Sequence, residues 1–198
     1  MATTKAVAAT RGPLDITTSE EVGTATLHFV VGDIAAEVSD AVVNAANPAL
    51  QGGGGVDGAI HRAAGPQLLA ECRALGFCDV GDAKATGAGA MPVRHIIHAV
   101  GPRWSGGSNG EAELLATCHR RAVEIADELG AHSVSFPGIG LGAYRYPPQL
   151  AAPVAIATTW EAVLQSTGIR RVRFVLFYEG LRDIFARAAS ELGLVYGV

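Results

Sequence analysis

A short apolar run that ends in two asparagines, a proline, and then four consecutive glycines leading straight into helical periodicity leaves this chain little choice of architecture. The run is Val43 to Asn47, the proline is Pro48, and the glycines are Gly52 to Gly55. Adjacent glycines lose much backbone freedom on folding, and such a loss is tolerated where main chain must come close to something, such as a ligand. Beyond them Val56, Ala59, Ile60 and Ala63 fall at helical spacing, which predicts a helix over Val56 to Ala64. A glycine loop feeding a helix N-terminus presents unpaired N–H groups and the positive end of the helix dipole, the geometry for holding an anion. Asp57 and His61 are four residues apart and share one face of that helix. Taken singly, each part has an ordinary reading. Glycine runs serve as linkers, an aspartate in a first turn complements the dipole, and a helix histidine can simply face solvent. A linker, however, is not usually followed at once by an apolar-periodic helix, and the combination reads as a site.

The rest of the chain supplies a scaffold for it. Leu14 to Thr17 and Thr24 to Val31 read as strands around a turn near Glu20 to Gly23. Gly32-Asp33-Ile34 then opens a short helix through Glu37. Ala41 to Ala46 is apolar almost throughout, as a strand buried on both faces must be. Gly65-Pro66 restarts a helix through Leu75, with proline at a favoured first position. Strands are expected over Lys84 to Ala88, Arg94 to Val100, His132 to Phe136 and Val172 to Phe177. Helices are expected over Glu111 to Leu129, Pro147 to Gln165 and Leu181 to Leu192. Gly101 to Gly110 has turn chemistry throughout. Alternating strands and helices imply an α/β fold with a mixed, mainly parallel central sheet covered on both faces, and an antiparallel edge at the first strands. In such sheets the ligand crevice lies beyond the carboxyl ends of the strands. Asp33, Asn44 to Gly55, Gly138 to Tyr146 and Phe177 all follow strand ends and are therefore expected on one rim.

A length of 198 residues suits a single core, and 49% hydrophobic against 17% charged residues excludes a disordered chain. Residues 1–12 lack periodicity and read as a flexible tail, leaving 13–198 as one domain. The net charge of −4 and the presence of only two lysines, Lys5 and Lys84, leave phosphate binding to backbone N–H groups. Cys72, Cys78 and Cys118 form no C-x-x-C pair and read as buried reduced thiols of a cytoplasmic protein. No apolar run approaches the roughly 18 residues of a membrane span.

A second glycine loop, Gly138-Ile139-Gly140-Leu141-Gly142-Ala143-Tyr144, places glycines at alternate positions. That spacing permits a nest of N–H groups, although a plain strand-to-helix loop has the same look. Two such loops can clamp a diphosphate. Gly53 to Gly58 also fits G-x-G-x-x-G, but Asn47-Pro48 separates it from the strand and no acidic residue closes the next one, so a nicotinamide-dinucleotide fold is disfavoured. No glycine loop is followed by Gly-Lys-Ser/Thr, and neither H-E-x-x-H nor G-x-S-x-G occurs. His95 and His98, three apart on a strand, point to opposite faces, so no metal site is expected.

Asn44-Ala-Ala-Asn47 followed by Gly52-Gly-Gly-Gly-Val-Asp-Gly-Ala-Ile-His-Arg-Ala-Ala-Gly-Pro66 resembles the signature of the macrodomain family, in particular its MacroD-like class of ADP-ribosyl hydrolases. The resemblance spans roughly Leu27 to Phe185. It implies a three-layer α/β/α domain that binds ADP-ribose and removes mono-ADP-ribose from ester-linked acidic residues or deacetylates O-acetyl-ADP-ribose, with a non-catalytic ADP-ribose reader as the alternative. It implies no cofactor. ADP-ribosylated proteins, or ADP-ribosylated nucleic acid, are the implied partners of a monomer with no membrane contact. By the resemblance Asp33 with Ile34 reads adenine, and Phe177 packs against it unless it is ordinary core. Asn44, Gly53, Gly54, Gly55 and Val56 belong to the first ligand loop, and Gly138 to Tyr144 to the diphosphate loop, with Tyr144 on the distal ribose. Asn47 and Asp57 surround the bond to be cleaved, with His61 supporting or sharing the chemistry. The chain departs from the family pattern at Gly140 and Leu141, which replace a Ser-Thr pair, and at Arg145, which replaces a glycine.

Overall fold

The alternation of short apolar runs with amphipathic stretches folds into one seven-stranded sheet between two helical layers, in a computed structural model that describes Leu14–Thr17 and residues 25–194. Its strands are β1 (Leu14–Thr17), β2 (Thr26–Val31), β3 (Ala41–Ala45), β4 (Ala83–Gly87), β5 (His95–Ala99), β6 (Ser133–Phe136) and β7 (Arg171–Leu176). The helices are α1 (Gly55–Ala64), α2 (Pro66–Leu75), α3 (Glu111–Glu128), α4 (Pro148–Gln165) and α5 (Glu179–Glu191), with a 3₁₀ turn at Ile34–Ala36. The tail expected over residues 1–12 and the turn expected near Glu20 to Gly23 lie outside the described residues. Elsewhere the elements fall within a residue or two of their expected bounds. Gly55, the fourth glycine, is drawn into α1 as its first residue.

The strand order is β1-β2-β7-β6-β3-β5-β4. The inner pairings are all parallel, β1 runs antiparallel to β2, and β4 runs antiparallel to β5. The mixed, mainly parallel sheet is the one the sequence implies, with a second antiparallel edge at β4. Central β3 shows why its sequence is so apolar. Ala41, Val42 and Val43 are wholly buried, with successive side chains entering opposite layers. Helices α3, α4 and α5 cover one face over Phe29, Phe136, Phe174 and Phe185. Helices α1 and α2 cover the other over Val42, Ile60, Leu68 and Ile96. No helix among the described residues is long and apolar enough to cross a membrane. Because β2, β3, β5, β6 and β7 run the same way, their following loops gather on one rim.

Candidate functional site at the carboxyl rim of the sheet

A cavity of about 360 Å³ opens on that rim, between the loop that feeds α1 and the loop that follows β6. Asn47, Gly53, Gly54, Gly55, Val56 and Asp57 form one wall. Gly138, Ile139, Gly140, Gly142, Ala143 and Tyr144 form the other. Ala45 and Ala46, from the stretch expected on the rim, complete the lining with Gly101, which no motif in the sequence marks. Gly54 caps α1 without any side-chain hydrogen bond, so the first-turn N–H groups are unclaimed by a capping side chain. A Cβ built on Gly54 or Gly142 would meet no protein atom within 4 Å, and both glycines line the cavity.

The first loop is shaped by Asn47. Its carboxamide oxygen accepts from the N–H of Ala49 at 3.1 Å, and its Nδ2 donates to the carbonyl of Gly52 at 2.8 Å. The same Nδ2 lies 3.5 Å from Asp57 Oδ2. Asp57 sits in the first turn of α1 and is only 6% exposed. Its Oδ1 accepts from Asn44 Nδ2 at 2.7 Å, and His61 Nε2 stands 3.4 Å from the same oxygen. His61 does not line the cavity, and its Nε2 is buried with no hydrogen-bond partner. Asn44 does not line it either. It is wholly buried, and its Nδ2 reaches His98 Nδ1 at 3.1 Å.

His98 is the residue of this site that sequence reasoning passed over. Its Nε2 is 2.9 Å from Thr86 Oγ1 and 3.6 Å from Cys72 Sγ. Burial, helped by neighbouring His61, pushes its pKa down to about 4. The only available signal was strand alternation, which turns His98 inward beside Asn44. Donor atoms of His61, Cys72 and His98 lie within 4.8 Å of one another, a group able to take a soft divalent cation. Both nitrogens of His98 already have partners, and burial with the charges of Asp57 and Glu71 raises the Cys72 thiol to about 11, so a cation would have to displace existing bonds and a proton.

At the far end of the rim the paired strands β2 and β7 deliver Gly32 and Phe177 side by side, with the Gly32 N–H bonded to the carbonyl of Leu176 at 3.0 Å. Phe177 is 85% exposed, which rules out the core-packing reading. The carboxylate of exposed Asp33 caps the 3₁₀ turn through the N–H of Ala35 at 2.9 Å, and Ile34 is buried in the second core. Leu141 also turns away from the cavity, onto the first core and against Gly138. The second loop is clasped from outside. Trp104 N–H bonds the carbonyl of Tyr144 at 2.9 Å, the Trp104 and Tyr146 rings are 4.6 Å apart, and the Arg103 guanidinium lies 4.9 Å from the Tyr144 ring centre.

The Macro domain family model matches residues 43–155. A macro domain-containing protein of Chlorobaculum tepidum is 48% identical over 164 residues, covering 83% of this chain and 95% of that protein. An O-acetyl-ADP-ribose deacetylase of Citrobacter rodentium is 42% identical over 171 residues, covering 84% and 97%. Among solved structures, the Oceanobacillus iheyensis macrodomain with ADP matches with a TM-score of 0.81 at 39% identity, over 90% of this chain and 97% of that one. The Trypanosoma brucei macrodomain in complex with ADP-ribose matches at 0.77 and 32% identity, over 82% and 68%. The chain belongs to the macro domain family, and its three-layer α/β/α architecture is that of the family's solved members.

Proposed function

We propose that the protein binds ADP-ribose in the rim cavity and, as a MacroD-like enzyme, hydrolyses ADP-ribosyl esters: mono-ADP-ribose on acidic side chains of proteins, and O-acetyl-ADP-ribose. The observation that carries the reading is a buried carboxylate, Asp57, in the wall of a cavity whose two sides are glycine loops. The free N–H groups of α1 and the loop from Gly138 to Tyr144 suit a diphosphate. Exposed Phe177 and the Asp33 carboxylate suit adenine, which offers a ring face and an amino group. The distal ribose then lies between Asn47, Asp57 and Tyr144. Asp57 orients a water against the ester, and Asp57 or a phosphate oxygen of the substrate takes its proton. Cleavage leaves ADP-ribose with a free hydroxyl and the carboxylic acid of the target. Most of the acceleration comes from positioning of the ester and water in the cavity. His61, behind Asp57 rather than in the cavity, supports the carboxylate. A cytoplasmic location goes with this reading, since all three cysteines are free thiols.

A non-catalytic reader is favoured by one observation: Gly140 and Leu141 bring no hydroxyl to the second wall, and Leu141 faces the core. Single-turnover release of ADP-ribose from a glutamate-modified protein separates the two. Release by wild type and its loss in Asp57→Ala is expected, by about 10²–10⁴-fold for a lost general base. A wild type that binds ADP-ribose tightly and releases none establishes the reader. An ADP-ribosylated oligonucleotide, run alongside, tests whether the carrier matters.

A further inference from the structure

We infer that His98, anchored by Thr86 and acting through Asn44, is a positioning residue that sets the Asp57 carboxylate for the reacting water; the inference rests on the hydrolase reading above. The side chains form one chain across the sheet. Thr86 lies on β4, His98 on β5, Asn44 beside it on β3, and Asp57 in the first turn of α1. The links are 2.9, 3.1 and 2.7 Å. Thr86, His98 and Asn44 are at most 8% exposed, in a layer otherwise built from Val42, Ile60, Leu68 and Ile96.

The hydrogens in this chain are determined. A carboxylate only accepts, so the Asn44 group facing Asp57 is the amide NH₂ and not the oxygen. Its second hydrogen points at His98 Nδ1, which must therefore be bare. The imidazole proton then sits on Nε2 and is donated to Thr86 Oγ1. The other tautomer would set an N–H against an N–H and drive the amide off Asp57. One buried atom goes with this orientation: with the NH₂ turned to Asp57 and His98, Asn44 Oδ1 faces no donor and has no partner. A buried acceptor without a partner is unfavourable, and an apolar strand pair here would fold as well or better. The polar chain is explained by what it does at its end. It holds Asp57 Oδ1 at 2.7 Å and turns Oδ2, with Asn47 Nδ2 at 3.5 Å from it, toward the water.

The test compares wild type with Thr86→Val, which keeps shape and removes the acceptor, and Thr86→Ser, which restores a hydroxyl. Thr86→Val should lower the single-turnover rate about tenfold, short of the ~10²-fold that a full ångström of misplacement can bring. ADP-ribose affinity should stay within about twofold, the separation of a rate effect from a binding effect. Thr86→Ser should regain most of the rate, which a packing role for the threonine methyl would not allow. Nitrogen NMR of wild-type His98 should show the Nε2–H tautomer, and that signal should weaken in Thr86→Val. A wild-type rate in folded Thr86→Val, or an Nδ1–H tautomer in wild type, overturns the inference even if Thr86→Val proves unstable. A wild type that binds and releases nothing overturns the hydrolase reading instead, and leaves His98 no reaction to serve.

Discussion

Arg145 has a backbone φ of 56°, the left-handed region, where the family pattern carries glycine. A side chain there is strained by roughly 1–2 kcal/mol. Arg145→Gly should therefore stabilise the fold by about 1 kcal/mol once the added freedom of the unfolded glycine is subtracted. Urea denaturation measures this, and a destabilised variant would mean that the guanidinium makes a contact worth more than the strain. Leu50 has a similar φ of 54° but is 1% exposed, so glycine at that position loses packing as well as strain. Asp33 is expected to weaken ADP-ribose binding by about 1–3 kcal/mol when replaced by alanine, the range for a charged hydrogen-bond partner. Its carboxylate also caps the 3₁₀ turn through Ala35, so calorimetry should be paired with a melting curve. Undiminished affinity in the folded variant would remove Asp33 from the adenine site.

The two glycine loops act as walls because some of their glycines face space and others face protein. Gly54→Val and Gly142→Glu should leave the melting temperature nearly unchanged and abolish ADP-ribose binding, since a Cβ at either position meets no protein atom within 4 Å and both glycines line the cavity. Gly58 lies one turn further into α1 and behaves differently. A Cβ there would come within 2.5 Å of the carbonyl of Gly53, so Gly58→Ala should shift the loop and lower both stability and affinity. Thermal melting with calorimetry on the three variants checks the contrast, and equal loss of stability in all three would refute it. Behind the second loop, Glu111 at the start of α3 holds residues 105–109. Its Oε1 accepts from the Ser105 hydroxyl at 2.7 Å and from the N–H of Gly107 at 3.1 Å. Those bonds, that of Ser105 first, hold its carboxyl well below the usual range.

Across the whole molecule, two buried histidines set the response to acid. His119, stacked on Phe136 at 5.3 Å and bonded to Thr159, is pushed down to about 3 by burial, and His98 to about 4 by burial and His61. Both pKa values are depressed in the folded state, so the unfolded chain binds more protons between those values and about 6.5. Their contribution to stability is whole above about pH 6.5 and is lost as the pH falls through that window. Each unit of the gap corresponds to about 1.4 kcal/mol per histidine. Urea midpoints should therefore drop between about pH 7 and about pH 4.5, and His119→Leu should flatten the slope. A flat wild-type profile would show that these rings accept protons in place.

What the sequence determined by itself is local. Periodicity over a few residues located the strands and helices, and glycine with proline placed the loops, because these depend on neighbours in the chain. The stretch from Asn44 to Pro66 identified the family and put Asp57 and His61 on one helical face. Strand ends correctly predicted a shared rim. Only the tertiary structure decided which rim residues face the cavity and which stand behind it. Asn44 turned out buried against His98, 54 positions away, and Leu141 turned toward the core. Phe177 came out exposed, Gly101 entered the wall from a loop with no motif, and β4 closed the sheet antiparallel. Strand order sets these relations, and strand order follows from how two apolar layers pack against the sheet, which no short window of residues records.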